Sequence, residues 1–158
     1  MKNALATLLF VFPMLMGAAC DQNTVVPSGG DQESIPDNTE TMADTLLIKI
    51  GDKEFSADLL DNPTAAAFKA MLPLTINMTE LNGNEKYFRL SKNLPTNESN
   101  PGTIHSGDLM LYGSNTFVLF YKSFSTSYSY TRLGKISNTA GLFSALENGN
   151  VTVKISLK

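Results

Sequence analysis

The chain has 158 residues, with 12 basic and 15 acidic side chains and a formal net charge of −3. So balanced a composition excludes the broad basic surface that nucleic-acid-binding proteins use. Because Cys20 is the only cysteine, an intramolecular disulfide is also excluded, and the fold must be stabilised by its apolar core.

The first 19 residues have the layout of a secretory signal peptide. Lys2 precedes an apolar run from Ala4 to Met16, and the small residues Gly17, Ala18 and Ala19 follow. The run is too short to span a membrane, which takes about 20 apolar residues. Small residues before a cysteine resemble a bacterial lipobox, so cleavage before Cys20 and lipid attachment to its thiol are expected. The alternative is an unlipidated secreted protein.

Residues 20–44 are predicted to form a disordered linker. They carry six acidic side chains and no basic ones, and their few apolar residues cannot bury enough area to order the segment. Residues 45–158, with nine acidic and eleven basic side chains, are long enough for one compact domain. We therefore expect a domain in the bacterial cell envelope, outside the cytoplasm, held to a membrane by lipid on Cys20.

Alternating apolar residues and turn signals divide this domain into ten predicted elements. In chain order they are strands 46–50 and 55–59, a helix 63–72, strands 74–79, 86–90, 108–112, 116–122 and 128–137, a helix 139–147 and a strand 151–157. Asp61 or Asn62 is suited to cap the first helix, Pro63 to its first turn, and Pro73 ends it. A long polar loop is predicted between residues 91 and 102.

The strand at 116–122 is almost wholly apolar, so it should be covered on both faces. Eight strands are about the number that closes a barrel whose interior side chains just fill it. Closure also removes exposed strand edges. The predicted fold is therefore mainly β, a closed eight-stranded barrel capped by two short helices.

Several short segments occur in an order that matches a known family. They are Pro63-Thr64 with Phe68, Tyr87-Phe88-Arg89-Leu90, Pro101-Gly102, Gly107-Asp108-Leu109, Thr116-Phe117-Val118-Leu119 and Leu133-Gly134-Lys135-Ile136. Together with the element order, they resemble the cyclophilins, which are peptidyl-prolyl isomerases built as eight-stranded barrels with two helices. The resemblance covers residues 45–158, and the small size is most similar to the minimal bacterial cyclophilin-like proteins.

The resemblance implies a catalytic role for Arg89, which matches the arginine of the family's Phe-His-Arg-Ile segment. That arginine is the donor aimed at the nitrogen of a twisted X-Pro amide. Strand alternation places Phe88 and Leu90 on one face and Tyr87 and Arg89 on the other. If Phe88 and Leu90 fill the barrel, Arg89 points outward, where the family has its binding groove. The alternative is an ordinary solvated strand arginine.

Other candidate site residues depart from the family pattern. Val118 stands where the family has a pocket phenylalanine, and the chain has no tryptophan. His105, near the position of a family glutamine, would donate a hydrogen bond to a peptide carbonyl, or else it is a plain loop residue. Aromatic and hydroxyl residues alternate between 123 and 131, which suits either a recognition surface or a two-faced hairpin. The candidate ligand-binding residues are His105, Thr116, Val118, Phe120, Tyr128 and Tyr130.

Two functions remain open from the sequence. The first is a lipid-anchored module that binds an extended peptide, such as a proline-containing segment, or another ligand, with little or no turnover. The second is a peptidyl-prolyl cis-trans isomerase that acts on envelope proteins. One histidine and scattered acidic residues indicate neither a metal site nor a cofactor.

Overall fold

The computed structural model describes residues 41–158. The predicted signal peptide, Cys20 and nearly all of the predicted linker lie outside these residues. The elements in chain order are β1 (Met42–Ile50), β2 (Lys53–Leu60), α1 (Pro63–Lys69), β3 (Leu74–Leu81), β4 (Glu85–Arg89), β5 (Thr103–Ile104), β6 (Asp108–Tyr112), β7 (Thr116–Phe120), β8 (Phe124–Ser125), β9 (Thr131–Ile136), α2 (Leu142–Leu146) and β10 (Val151–Leu157).

Eight antiparallel strands close into a barrel in the order β1-β10-β3-β4-β7-β6-β9-β2. This confirms the predicted fold, a mainly β, closed eight-stranded barrel with two short helices. The two-residue strands β5 and β8 pair with each other outside the barrel. They lack the alternation of a longer strand, so the sequence did not predict them. Strand β1 begins at Met42, three residues before the predicted domain start, because Met42 and Asp44 pair with the end of β2.

The barrel interior is filled by the inward side chains of its strands, and β7 is covered on both faces as predicted. Phe117 and Leu119 belong to the main core, whereas Val118 and Phe120 belong to a second buried cluster on the outer face. Helix α1 closes the barrel near β7, where the Phe68 ring stacks on Phe117 with centroids 4.9 Å apart. The outer cluster therefore lies on a strand whose inner face is already fixed by the core.

Helix α1 is capped by Asn62, one of the two residues suggested by the sequence. Its side-chain oxygen accepts a hydrogen bond from the Ala65 amide at 2.8 Å, and its amide nitrogen donates to the Arg132 carbonyl at 3.0 Å. The second helix, α2, is shorter than predicted and is preceded by Gly141 at φ 78°. Within residues 41–158, neither helix has the length and apolarity needed to cross a bilayer.

One end of the barrel contains a buried lysine. Lys86 is 0% exposed, and its ammonium donates hydrogen bonds to the Glu80 carboxylate and to the Gly149 carbonyl. The Tyr121 hydroxyl donates to the same carboxylate at 2.8 and 2.9 Å. Burial opposes ionisation of Glu80, but the hydrogen bonds and the charge of Lys86 outweigh it and lower its pKa. This network connects β3, β4 and the turns that follow β7 and α2.

The predicted strand 128–137 is shorter in the structure, where β9 spans Thr131–Ile136. Tyr128 lies in a loop, and Tyr130 forms an isolated bridge with Ser99 through two backbone hydrogen bonds of 3.0 Å. Pairing with the loop 91–102 therefore holds the backbone of Tyr130 outside β9. As a result, residues 126–130 leave the barrel wall and pass over its outer surface.

Candidate functional site

A groove lies on the outer face of the barrel, above the second buried cluster. Its floor is made by three adjacent strands, in which Arg89 of β4 pairs with Thr116 of β7, and Thr116 pairs with Tyr112 of β6. Deeper along the same strands, Tyr87 pairs with Val118. The groove has a volume of ≈ 520 Å³. Its lining includes Glu85, Tyr87, Arg89, Tyr112, Thr116, Val118, Tyr130 and residues 124–128.

The wall of the groove is the segment from Phe124 to Tyr130. It is held by the pairing of Phe124 with Ile104 and by the Thr126 amide, which donates to the Gly102 carbonyl at 2.9 Å. Aromatic contacts attach it to the floor. Ring centroids are 5.7 Å apart for Phe120 and Phe124, 5.6 Å for Phe120 and Tyr130, 5.6 Å for Tyr112 and Tyr130, and 6.2 Å for Tyr112 and Tyr128. The wall is thus positioned by packing as well as by backbone hydrogen bonds.

Arg89 stands at one end of the floor and is exposed. Strand alternation directs it outward, while Leu90 is buried in the main core. Among residues 41–158, no side chain or carbonyl forms a hydrogen bond or ion pair with its guanidinium. Its five N–H donors are therefore available to an oxygen-bearing ligand in the groove.

Glu85 stands at the other end of the floor and is only 8% exposed. It pairs with Phe120 of β7 and Leu81 of β3, and burial, with a smaller contribution from the Glu80 carboxylate, raises its pKa to about 7. Its carboxyl forms no hydrogen bond or ion pair with any described residue. The pKa of Tyr130 is raised as well, by its own burial and then by the charge of Glu85.

Five of the sequence-predicted site residues come together in this groove. They are Arg89, Thr116, Val118, Tyr128 and Tyr130. Phe120 is fully buried beneath the groove, where it supports the wall.

His105 does not line the groove. The preceding residue, Ile104, fills the second cluster, so alternation directs His105 away from it. Its side chain is 56% exposed, and its Nδ1 lies 3.8 Å from Asp108 Oδ2, which accepts a hydrogen bond from the His105 amide. The structure therefore separates His105 from the other predicted ligand-binding residues.

Several lining residues were absent from the predicted site. Glu85 was missed because the strand was predicted to begin at Lys86, although extending the alternation of Arg89 and Tyr87 by one step reaches it. Phe124 belongs to the aromatic and hydroxyl segment 123–131 that suggested a recognition surface, but it was not among the named site residues. Tyr112 carries no local signal for a site, since its place in the groove depends on strand neighbours distant in sequence. Within the described part of the chain, no three His, Cys, Asp or Glu side chains are grouped so as to hold a metal ion.

Comparisons with known proteins agree with this architecture. The model of a cyclophilin-like family matches residues 48–156. No curated protein matches the chain significantly. A hypothetical protein from Archaeoglobus fulgidus, known from its solution structure, is similar at 18% identity and a TM-score of 0.51, with 76% of this chain and 99% of that chain covered. At that identity the likeness concerns the fold.

Proposed function

The chain belongs to the cyclophilin-like family, and from that premise we propose that its groove binds an extended peptide segment with little or no turnover. The domain that carries the groove is tethered to a bacterial membrane by lipid on Cys20. The observation that carries the binding proposal is the unpartnered guanidinium of Arg89 in the same groove as an apolar floor and a tyrosine-rich wall.

Each part of the groove suits a peptide. The guanidinium of Arg89 offers several donors to backbone carbonyls. Tyrosine, serine and threonine side chains along the wall combine broad contact area with adaptable hydrogen bonding. The volume of ≈ 520 Å³ lies within the range of about 300–1,000 Å³ typical of ligand sites. A segment of several residues therefore fits better than a large folded surface.

Binding without turnover is favoured by the floor. Val118 and its neighbour Met110 on β6 are buried, so side chains already fill the space beneath the groove. A deep apolar pocket would hold a proline ring while its amide twists, and the filled floor leaves only a shallow one. The groove is thus better suited to holding a peptide than to distorting it.

A second candidate function is peptidyl-prolyl isomerisation, favoured by the position of Arg89 above the same floor as Val118. The barrier to amide rotation is about 18–20 kcal/mol. A fixed donor near the proline nitrogen stabilises the twisted state, in which that nitrogen regains its lone pair. Arg89 is the cationic donor among the residues that line the groove.

Peptide binding and proline isomerisation by the full chain distinguish these functions. On an array of extended peptides, Arg89→Ala should weaken binding about tenfold, because it removes charged hydrogen bonds. Arg132→Ala is the matched control, since Arg132 is exposed on β9 outside the groove. In the isomerisation assay, all three proteins should leave the rate equal to that of buffer.

Acceleration by the wild type and by Arg132→Ala, but not by Arg89→Ala, would establish the isomerase instead. If no peptide binds and no protein accelerates isomerisation, both candidate functions are refuted.

The membrane anchor has a separate test. When bacteria expressing the full chain are grown with a labelled fatty acid, the wild-type protein should carry the label and Cys20→Ala should not, because the thiol is the attachment point. Label that persists in Cys20→Ala would contradict lipid attachment at this residue.

A further inference from the structure

The Glu85 end of the groove has two oxygen acceptors that no described residue satisfies. Glu85 is 8% exposed as a whole residue, and it lines the groove without a hydrogen bond or ion pair between its carboxyl and any described residue. Beside it, Asn84 also lines the groove, and its side-chain Oδ1 is buried without a partner. Buried polar groups in proteins are normally paired, and buried charges almost always are.

Neither of the two cationic side chains of β4 pairs with Glu85. Lys86 follows Glu85 on β4, but it points into the barrel, where its ammonium is bound to Glu80 and Gly149. Arg89 lies on the same face as Glu85, four residues along the strand, which corresponds to about 13 Å. The described residues thus leave the carboxyl without a cation.

The surroundings of these acceptors suit a long cationic side chain. Phe124 and Tyr130 lie beside this end of the groove, with their rings packed on the ring of Phe120. Aromatic faces cover the aliphatic part of a lysine or arginine side chain and attract its charge. The oxygens of Glu85 and Asn84 need hydrogen-bond donors, and the aromatic rings beside them suit a cation. A lysine ammonium or an arginine guanidinium, which can only donate, meets both requirements.

We infer that the Glu85 end of the groove binds the side chain of a lysine or arginine of the peptide, while Arg89 holds a carbonyl at the opposite end. This inference rests on the proposed peptide-binding function. It adds that the groove selects peptides that carry a lysine or an arginine. The distance of about 13 Å between the two ends corresponds to about four extended residues. The basic residue should therefore be preferred at one end of the bound segment.

The test uses the full chain at pH 8 and capped peptides of about seven residues with a central proline. A single lysine is moved through the other positions, and matched peptides carry glutamine at the same position. At the preferred position, the lysine peptide should bind the wild type about tenfold more tightly than the glutamine peptide. In Glu85→Gln this ratio should fall to about one, because the neutral amide no longer attracts the ammonium of the lysine.

Glu54→Gln is the matched control, because Glu54 lies on β2 outside the groove and pairs with Lys49 at the surface. It should keep the wild-type preference. Equal binding of lysine and glutamine peptides to the wild type, which needs no variant, would overturn the inference and leave the peptide-binding function standing. A preference that survives in Glu85→Gln would also overturn it. If no peptide binds, the inference and the proposed function are both overturned.

Discussion

Replacing Lys86 with methionine should lower the free energy of unfolding by about 3–5 kcal/mol. Methionine fills much of the same volume, so the loss arises from electrostatics rather than from a cavity. The substitution removes the ammonium from the partly buried Glu80 carboxylate and leaves the Gly149 carbonyl without its donor. Unfolding in urea at pH 7, followed by circular dichroism, measures the change.

A double variant tests whether the uncompensated charge of Glu80 causes the loss of stability in Lys86→Met. Adding Glu80→Gln to Lys86→Met removes the uncompensated charge, so the double variant should be more stable than Lys86→Met alone. Lys154→Met is the matched control, since Lys154 is exposed on β10, and it should change stability by less than about 0.5 kcal/mol. A loss below about 1 kcal/mol in Lys86→Met would show that the network contributes little.

Replacing Glu85 with glutamine should stabilise the protein at pH 8 by about 3 kcal/mol and have almost no effect at pH 4. The pKa of Glu85 is about 7 in the folded protein, against an ordinary value of 4.5. Between these values the folded state binds more protons than the unfolded state, so wild-type stability falls as pH rises. A rise of this size corresponds to about 3 kcal/mol above pH 7.

Three titratable neighbours of Glu85 have pKa values that are shifted away from the range in which Glu85 titrates. The pKa of Glu80 is lowered by its hydrogen bonds and by the charge of Lys86, and the pKa values of Tyr121 and Tyr130 are raised by burial. Urea unfolding of the wild type and Glu85→Gln at both pH values measures the difference. Glu54→Gln should show no such pH dependence. An equal gain from Glu85→Gln at pH 4 and pH 8 would mean that packing, not ionisation, is the cause.

A buried carboxyl with a raised pKa is expected to lower stability at neutral pH. Glu85 lies between Phe120 and Leu81 on the neighbouring strands. Groups that reduce stability are typical of sites shaped for binding. Urea unfolding without ligand and peptide binding therefore test the same Glu85 carboxyl by independent measurements.

The strands of the barrel and the faces of β4 and β7 were predictable from the sequence, because side chains alternate with a period of two along any strand. That rule predicts that Arg89 points outward if Phe88 and Leu90 fill the barrel. The apolar run at 116–122 predicts that this strand is covered on both faces. The count of eight strands predicted the closed barrel, which the strand order confirms. The ordered segments predicted the cyclophilin-like family, which the family match over residues 48–156 confirms.

Only the tertiary structure decided how the groove is composed. The order of β4, β7 and β6 in the barrel brings Arg89, Thr116 and Tyr112 side by side, although they are distant along the chain. The bridge between Ser99 and Tyr130 places the first residues of the predicted strand 128–137 in the groove wall. Such contacts depend on long-range pairing, for which local periodicity carries no information.

The sequence by itself determined the alternation of side chains, the number of barrel strands and the outward position of Arg89, since each depends on neighbouring residues. The tertiary structure decided that His105 lies apart and that Glu85 shares the groove with Arg89. It also decided the raised pKa of Glu85, because the burial that raises it comes from strands and a wall distant in the chain.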